Sequence, residues 1–266
     1  TDQFVGGNLV RGFPTPVKVT TPNFQFSYIH TFKPTLLNEF RAGYTGSVFA
    51  NEASFPGVPA ISLDDSTLGF GAGSGIPEVD HEGIYSYADS LTLNRGRHHL
   101  KGGVDLRRNM YNTNANLGRP SYYFFDPLFF AVDAPYGEGA GVDPGILSGK
   151  PAHLETIFRH WRKWETGLYV QDDWHVRPNL TLNLGLRYEI ATVPTEQHNR
   201  LATLPSLTAP QLKIGSPFFQ NPTLRNFSPR VGFSWDPFKT GKTAVRGGFG
   251  QYDVLPLTYQ FLLPTV

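Results

Sequence analysis

The chain has 266 residues and carries 28 Gly, 22 Pro and 37 aromatic side chains, with no cysteine and a net charge of +1. The absence of cysteine excludes a disulfide scaffold, a thiolate metal site and a Cys nucleophile. One residue in five is Gly or Pro, which argues against a helical bundle, the aromatics argue against disorder, and the even charge offers no basic stripe for nucleic acid. No apolar run approaches the ~18 residues of a membrane helix, although a membrane β-strand needs only about 9–11 residues and half of them can be polar.

The chain starts Thr1-Asp2-Gln3, and its only methionine is Met110. No signal-peptide pattern opens it. It is therefore expected to be an internal piece of a longer protein.

Period-two alternation marks the first hairpin. Phe24, Phe26, Tyr28 and Phe32 share one row, and Phe40, Ala42, Tyr44 and Val48 share the next, joined through Lys33-Pro34-Thr35. A long connection over 49–83 follows. It contains Gly69-Phe-Gly-Ala-Gly-Ser-Gly75, which resembles a phosphate loop but lacks the following Lys-Ser/Thr. Tyr85, Tyr87, Leu91 and Leu93 then oppose Leu100, Val104 and Leu106 across Arg95-Gly96-Arg97. His98 and His99 adjoin this turn, and as neighbours on a strand they face opposite ways.

The longest connection, 110–164, holds the aromatic cluster Tyr122, Tyr123, Phe124 and Phe125, followed by Phe129 and Phe130. Such rings on an exposed loop could stack a sugar or similar ligand. The competing reading is that they pack the loop on itself. Asp133 to Asp143 is acidic and Gly-rich, yet does not fit the twelve-residue calcium loop.

The third hairpin is the clearest. Leu168, Val170, Trp174 and Val176 lie on one row, and Leu180, Leu182, Leu184, Leu186, Tyr188 and Ile190 on the next, across Pro178-Asn179. Asp173 and His175 share the opposite face and are read as a polar row rather than a catalytic or metal site. After the connection 191–226, Phe227–Trp235 and Lys242–Tyr252 form the fourth hairpin. Asp89 and Asp172 fall on apolar rows, and a β-bulge at each would turn it inward.

Eight strands in four hairpins with alternating short and long connections point to an all-β chain. The architecture expected is a partial antiparallel transmembrane β-barrel, an open curved sheet, with short turns on one side and long loops on the other. All four tryptophans, Trp161, Trp164, Trp174 and Trp235, fall at strand ends, where interfacial aromatics belong. A soluble carbohydrate-binding β-sandwich or propeller is the main alternative. It would bury the apolar rows in a sealed core. A passive porin or adhesin barrel would share the fold.

Several stretches resemble the barrel of TonB-dependent outer-membrane receptors, most closely the Oar-like group. They are Gly167-Leu-Tyr-Val-Gln-Asp-Asp-Trp174, Arg177-Pro-Asn-Leu-Thr-Leu-Asn-Leu-Gly-Leu-Arg-Tyr-Glu189, Thr35-Leu-Leu-Asn-Glu-Phe-Arg-Ala-Gly-Tyr44, Arg95-Gly-Arg-His-His-Leu-Lys-Gly-Gly-Val-Asp105, Asn226-Phe-Ser-Pro-Arg-Val-Gly-Phe-Ser-Trp-Asp-Pro237 and Thr243-Ala-Val-Arg-Gly-Gly-Phe-Gly250. The resemblance implies that residues 1–266 are a middle section of a barrel of about 22 strands around a plugged lumen, with the plug and N-terminal regulatory-like domains outside it. It implies uptake of a large or scarce substrate across the bacterial outer membrane. The energy would come from the TonB-ExbB-ExbD complex acting through the plug. No cofactor, no resident metal and no enzyme activity are expected. Outer-membrane lipid would be the contact on the apolar face.

Overall fold

The computed structural model describes residues 3–4, 15–52, 58–64, 69–71, 76, 78–113, 120–139, 158–199, 201–203, 206–211, 213–215 and 223–255. Its strands, in chain order, begin with β1 (Gln3–Phe4), β2 (Pro16–Thr20), β3 (Asn23–Lys33), β4 (Leu36–Asn51), β5 (Ala60–Leu63), β6 (Gly69–Phe70), β7 (Glu78–Arg95) and β8 (His98–Thr113). They continue with β9 (Ser121–Phe124), β10 (Gly137–Gly139), β11 (Arg159–Arg177), β12 (Leu180–Ala191), β13 (Thr195–Glu196), β14 (Ala202–Thr203), β15 (Lys213–Ile214), β16 (Phe227–Trp235) and β17 (Val245–Gly250), with one short helix α1 (Pro127–Ala131).

The main sheet runs β3-β4-β7-β8-β11-β12-β16-β17, antiparallel throughout. Among the described residues it does not close: β3, with the short β1 paired beside β2, forms one edge and β17 the other. β2 pairs with β4 in the same register as β3, so the two form one strand interrupted where Pro22 supplies no N–H. All eight expected strands are present and pair as four hairpins.

Two-residue turns close three of the hairpins, and Gly96 supplies the positive φ in one. The fourth differs from expectation. Its second strand starts at Val245 rather than Lys242, because Asp236 holds the turn open as a separate structure. The Asp236 carboxylate accepts from the backbone N–H of Phe238 at 3.2 Å and of Gly241 at 2.7 Å. Lys239 and Gly241 both take positive φ there.

The strands also outrun the expected lengths. β7, β8 and β11 reach 18, 16 and 19 residues, beyond the ~9–11 that cross a bilayer. Their extra turns of ladder stand on the long-loop side. There the loops build a second, four-stranded sheet, β10-β9-β5-β6, in which β5 runs parallel to β9.

The two rows of the main sheet separate cleanly. One carries Phe24, Phe26, Tyr28, Leu168, Val170, Leu184, Leu186, Val231 and Phe249, each between 40% and 75% exposed. The buried apolar residues among those described are few, and none belongs to this face. No second layer covers it, so a sealed sandwich core is absent among the described residues. Fully burying one such side chain is worth about 1.5–3 kcal/mol, so half-exposing these nine forgoes on the order of 10 kcal/mol. That matches the whole net stability of a domain, ~5–15 kcal/mol, and the face needs an apolar solvent. Trp164 and Trp174, at the two ends of this row on β11, lie ten positions apart. At ~3.3 Å per residue and a tilt near 40°, they stand about 25 Å apart along the normal, the height of an outer-membrane apolar band.

No β-bulge turns Asp89 or Asp172 inward. Register is continuous through both, with Asp89 opposite Phe40 and Val104, and Asp172 opposite Leu100 and Leu184. The register shifts lie instead between Thr31 and Lys33 and between His175 and Arg177, each beside a short turn. Both carboxylates thus stay on the lipid row and find diagonal cross-strand partners. Asp172 Oδ2 meets His98 Nδ1 at 2.6 Å, and Asn38 donates to Asp89 at 2.8 Å.

Candidate functional site

The polar row of the main sheet lines a hollow of about 940 Å³, whose walls come from five strands, β4, β7, β8, β11 and β12. One row from five adjacent strands can share a hollow only if that face is concave. The concave face is therefore the lumen side, and the apolar row is convex.

Glycines shape this wall. Across β11 and β12, Arg187 donates to Asp105 at 3.0 Å and to Glu189 at 2.9 Å, and its guanidinium lies 5.8 Å from the centre of the Tyr169 ring. A Cβ on Gly167 would sit 2.5 Å from an Arg187 Nη atom, so glycine at 167 is what lets the guanidinium cross. A Cβ on Gly103 would likewise meet the Tyr169 ring at 2.9 Å. Further along the wall, Lys163 pairs with Glu165 at 2.6 Å, Arg41 with Glu39 at 2.6 Å, and Arg230 stacks on Tyr252 at 4.4 Å.

At the long-loop end the wall turns acidic. Asp80, Glu82, Glu165, Glu189 and Asp253 line the hollow, against Arg107 and Lys163. Lys163 and Arg187 serve Glu165 and Glu189 respectively. Glu78 adjoins Asp80, and burial, reinforced by the Asp80 charge, pushes its carboxyl above the usual value. Burial and then Asp80 likewise push the Tyr111 hydroxyl upward. Asn109, only 7% exposed, also lines the hollow, and its Nδ2 has no hydrogen-bond partner among the described residues. Asp80 Oδ1 is in the same position.

The four loop aromatics do not act as one surface. β9 places Tyr122 and Phe124 on one side and Tyr123 and Phe125 on the other. Phe124 is 3% exposed and meets Phe130 edge to face at 5.2 Å, so it is core to the loop sheet and cannot stack a ligand. Tyr122 pairs between Ile61 and Glu138, half-buried. Phe125 stays open and stacks on Tyr136 at 4.3 Å, with Tyr123 nearby at 6.3 Å from the same ring. Asp126 caps α1 by accepting from the N–H groups of Leu128 and Phe129 at 2.7 and 2.9 Å. This fixes where Phe129 and Phe130 emerge.

The tryptophans divide too. Trp164 and Trp235 are 40% and 43% exposed on the convex row. The Arg108 guanidinium lies 5.1 Å from the Trp164 ring centre, and Trp174 stacks on His98 at 5.4 Å. Trp161 departs from expectation: it sits on the concave row, 2% exposed, in a cluster with Tyr111 and Leu201. Leu201, from the connection after β12, packs in the same cluster, and β13 extends the sheet beside it by pairing with Trp161 and Arg162.

Other sequence candidates resolve into separate local contacts. Asp173 accepts from Asn183 at 2.7 Å and His175 bonds Thr181 at 2.9 Å. His98 and His99 serve different partners, Asp172 and Asn94. Asn179 donates to the Asp236 carbonyl at 2.8 Å, joining two short turns. Gly69 and Phe70 form β6, while 72–75 and the end of the Asp133–Asp143 stretch lie outside the described residues. Among those described, no three His, Asp or Glu side chains converge as a metal would require.

The acidic lining escaped sequence reading because Asp80, Glu82, Tyr111 and Lys163 fall in stretches read as loop. Past the membrane both faces of a strand meet water, and the apolar half of the alternation disappears. The alternate polar residues Asp80, Glu82 and Ser86, interrupted by Ile84, were the available signal.

Comparison with known proteins agrees with this geometry. Over 167 residues the chain is 25% identical to the TonB-dependent transporter Oar of Myxococcus xanthus, a stretch equal to 59% of this chain and 13% of that protein. The chain thus spans a small part of the length of that curated relative. The family model for the outer membrane beta barrel domain matches residues 1–264. A convex apolar belt, a concave polar wall and a match over nearly every residue lead to one conclusion: the chain belongs to the outer membrane β-barrel domain family, and its place is the bacterial outer membrane.

Proposed function

We propose that this chain forms part of the barrel wall of a TonB-dependent receptor that takes up a scarce or large substrate, and that it catalyses no reaction. The observation that carries this reading is the concave wall. It is ion-paired and lined with hydrogen-bonding groups from β4 to β12, and towards its long-loop end it forms a hollow of about 940 Å³ walled by the long strands and by residues 253–255. Such a wall suits contact with a plug below and a ligand above. The transporter similarity supports the same reading. TonB-ExbB-ExbD would act through a plug domain, and this segment would contribute the passage and part of the binding surface.

A passive porin would use the same wall differently, as an open aqueous pore. Reconstituting the full-length protein in a planar bilayer separates the two. A plugged receptor gives no steady conductance at low voltage and binds the periplasmic domain of TonB. Steady ohmic conductance with no TonB binding would refute the uptake reading.

A further inference from the structure

We propose that the acidic hollow at the long-loop end of the lumen is a subsite for a lysine- or arginine-bearing peptide segment of the substrate. The inference rests on the uptake reading and names the ligand chemistry of that same site.

Five carboxylates line the hollow against two cations. Lys163 is taken by Glu165, and Arg187, just outside the lining, bridges Glu189 and Asp105; with Arg107 counted as well, the lining still holds three more carboxylates than cations. Asp80 and Glu82 have no ion pair among the described residues, and Glu78 crowds them from the strand end. A negative site of this kind attracts a cation. The carboxylates are spread along the wall and do not converge as a metal site requires. An extended organic cation fits that spacing. Phe49, Ile84, Val254 and Leu255 also line the hollow, and would cover the aliphatic stem of a Lys or Arg side chain.

Asn109 narrows the class. It is more than nine-tenths buried, lines the hollow, and leaves its amide Nδ2 without an acceptor among the described residues. A buried donor left unmet costs about 1–3 kcal/mol. Something at this site should supply an acceptor. A polyamine carries charge and no acceptor; a peptide carries ammonium or guanidinium groups together with backbone carbonyls. A hollow near 940 Å³ is within the usual ~300–1,000 Å³ of ligand sites and has room for a short peptide.

The test is equilibrium binding to the purified full-length protein in detergent, with tetralysine as probe. Spermine, tetra-Nε-acetyl-lysine and tetraglutamate are the comparisons. Tetralysine should bind more tightly than all three. The paired substitution Asp80→Asn with Glu82→Gln should weaken tetralysine by about tenfold or more, and Asn109→Leu should remove its advantage over spermine. Asp253→Asn provides an independent variant on another segment of the lining, with tryptophan fluorescence reporting the fold of each protein. Absence of tetralysine binding, equal binding of the acetylated peptide, or indifference to the Asp80 and Glu82 changes would overturn the proposal. A protein that stays closed in the bilayer and binds TonB, yet ignores tetralysine, defeats this inference alone. Steady conductance without TonB binding defeats the uptake reading, whatever the peptide result.

Discussion

Asp172 occupies a lipid-row position between Leu100 and Leu184, and yet the strand keeps its register. The cost is met locally: His98, one rung away on β8, approaches to 2.6 Å and lies flat against Trp174. Asn38 does the same for Asp89. A bulge would have turned each carboxylate inward but broken pairing on both sides, whereas a diagonal partner leaves the ladder whole. The pair itself is not expected to be a large source of stability, because a well-packed apolar pair often does as well, and removing one member strands the other. His98→Leu alone should therefore destabilise the barrel by about 3 kcal/mol in urea unfolding from liposomes, and His98→Leu with Asp172→Leu should return close to the parent value. Equal losses in the single and double variants would show that the pairing is incidental.

At the scale of elements, the period-two rows made the hairpins readable. Leu180–Ile190 alternates without a break because lipid on one side and lumen on the other impose opposite demands on successive residues. The same strands become unreadable above the membrane. Glu78–Gly83 and Arg159–Lys163 remain paired, but water on both sides removes the contrast. The loop aromatics were visible as a cluster, but their division into core and surface was not. It is set by β5, which lies about sixty residues earlier in the chain and pairs beside β9. Nothing local to Tyr122–Phe125 records that partner. Phe124→Ala should cost the loop sheet about 3–5 kcal/mol. Limited proteolysis should then cut near 120–139 while the barrel strands stay protected. Cleavage spreading at once into β8 and β11 would mean that loop sheet and barrel unfold as one.

For the whole molecule, the apolar belt, the concave polar wall and the one-sided loops form a single arrangement. The two open edges at β3 and β17 are where further strands would continue a wider barrel. The Gly and Pro content that first spoke only against helices now has specific places. Gly96 and Gly241 turn hairpins, Pro22 interrupts the β2–β3 strand, and Gly167 and Gly103 make room for Arg187 and Tyr169. The account depends most on which face meets lipid. Residues 1–266 hold no cysteine, so once any cysteine elsewhere in the full-length protein is replaced by serine, single cysteines can be placed one at a time from Leu180 to Ala191 in native membranes and probed with a water-soluble maleimide. The account predicts protection at 182, 184 and 186 and modification at 183, 185 and 187. Ready modification of cysteines at 182 and 184 in the folded protein would contradict it.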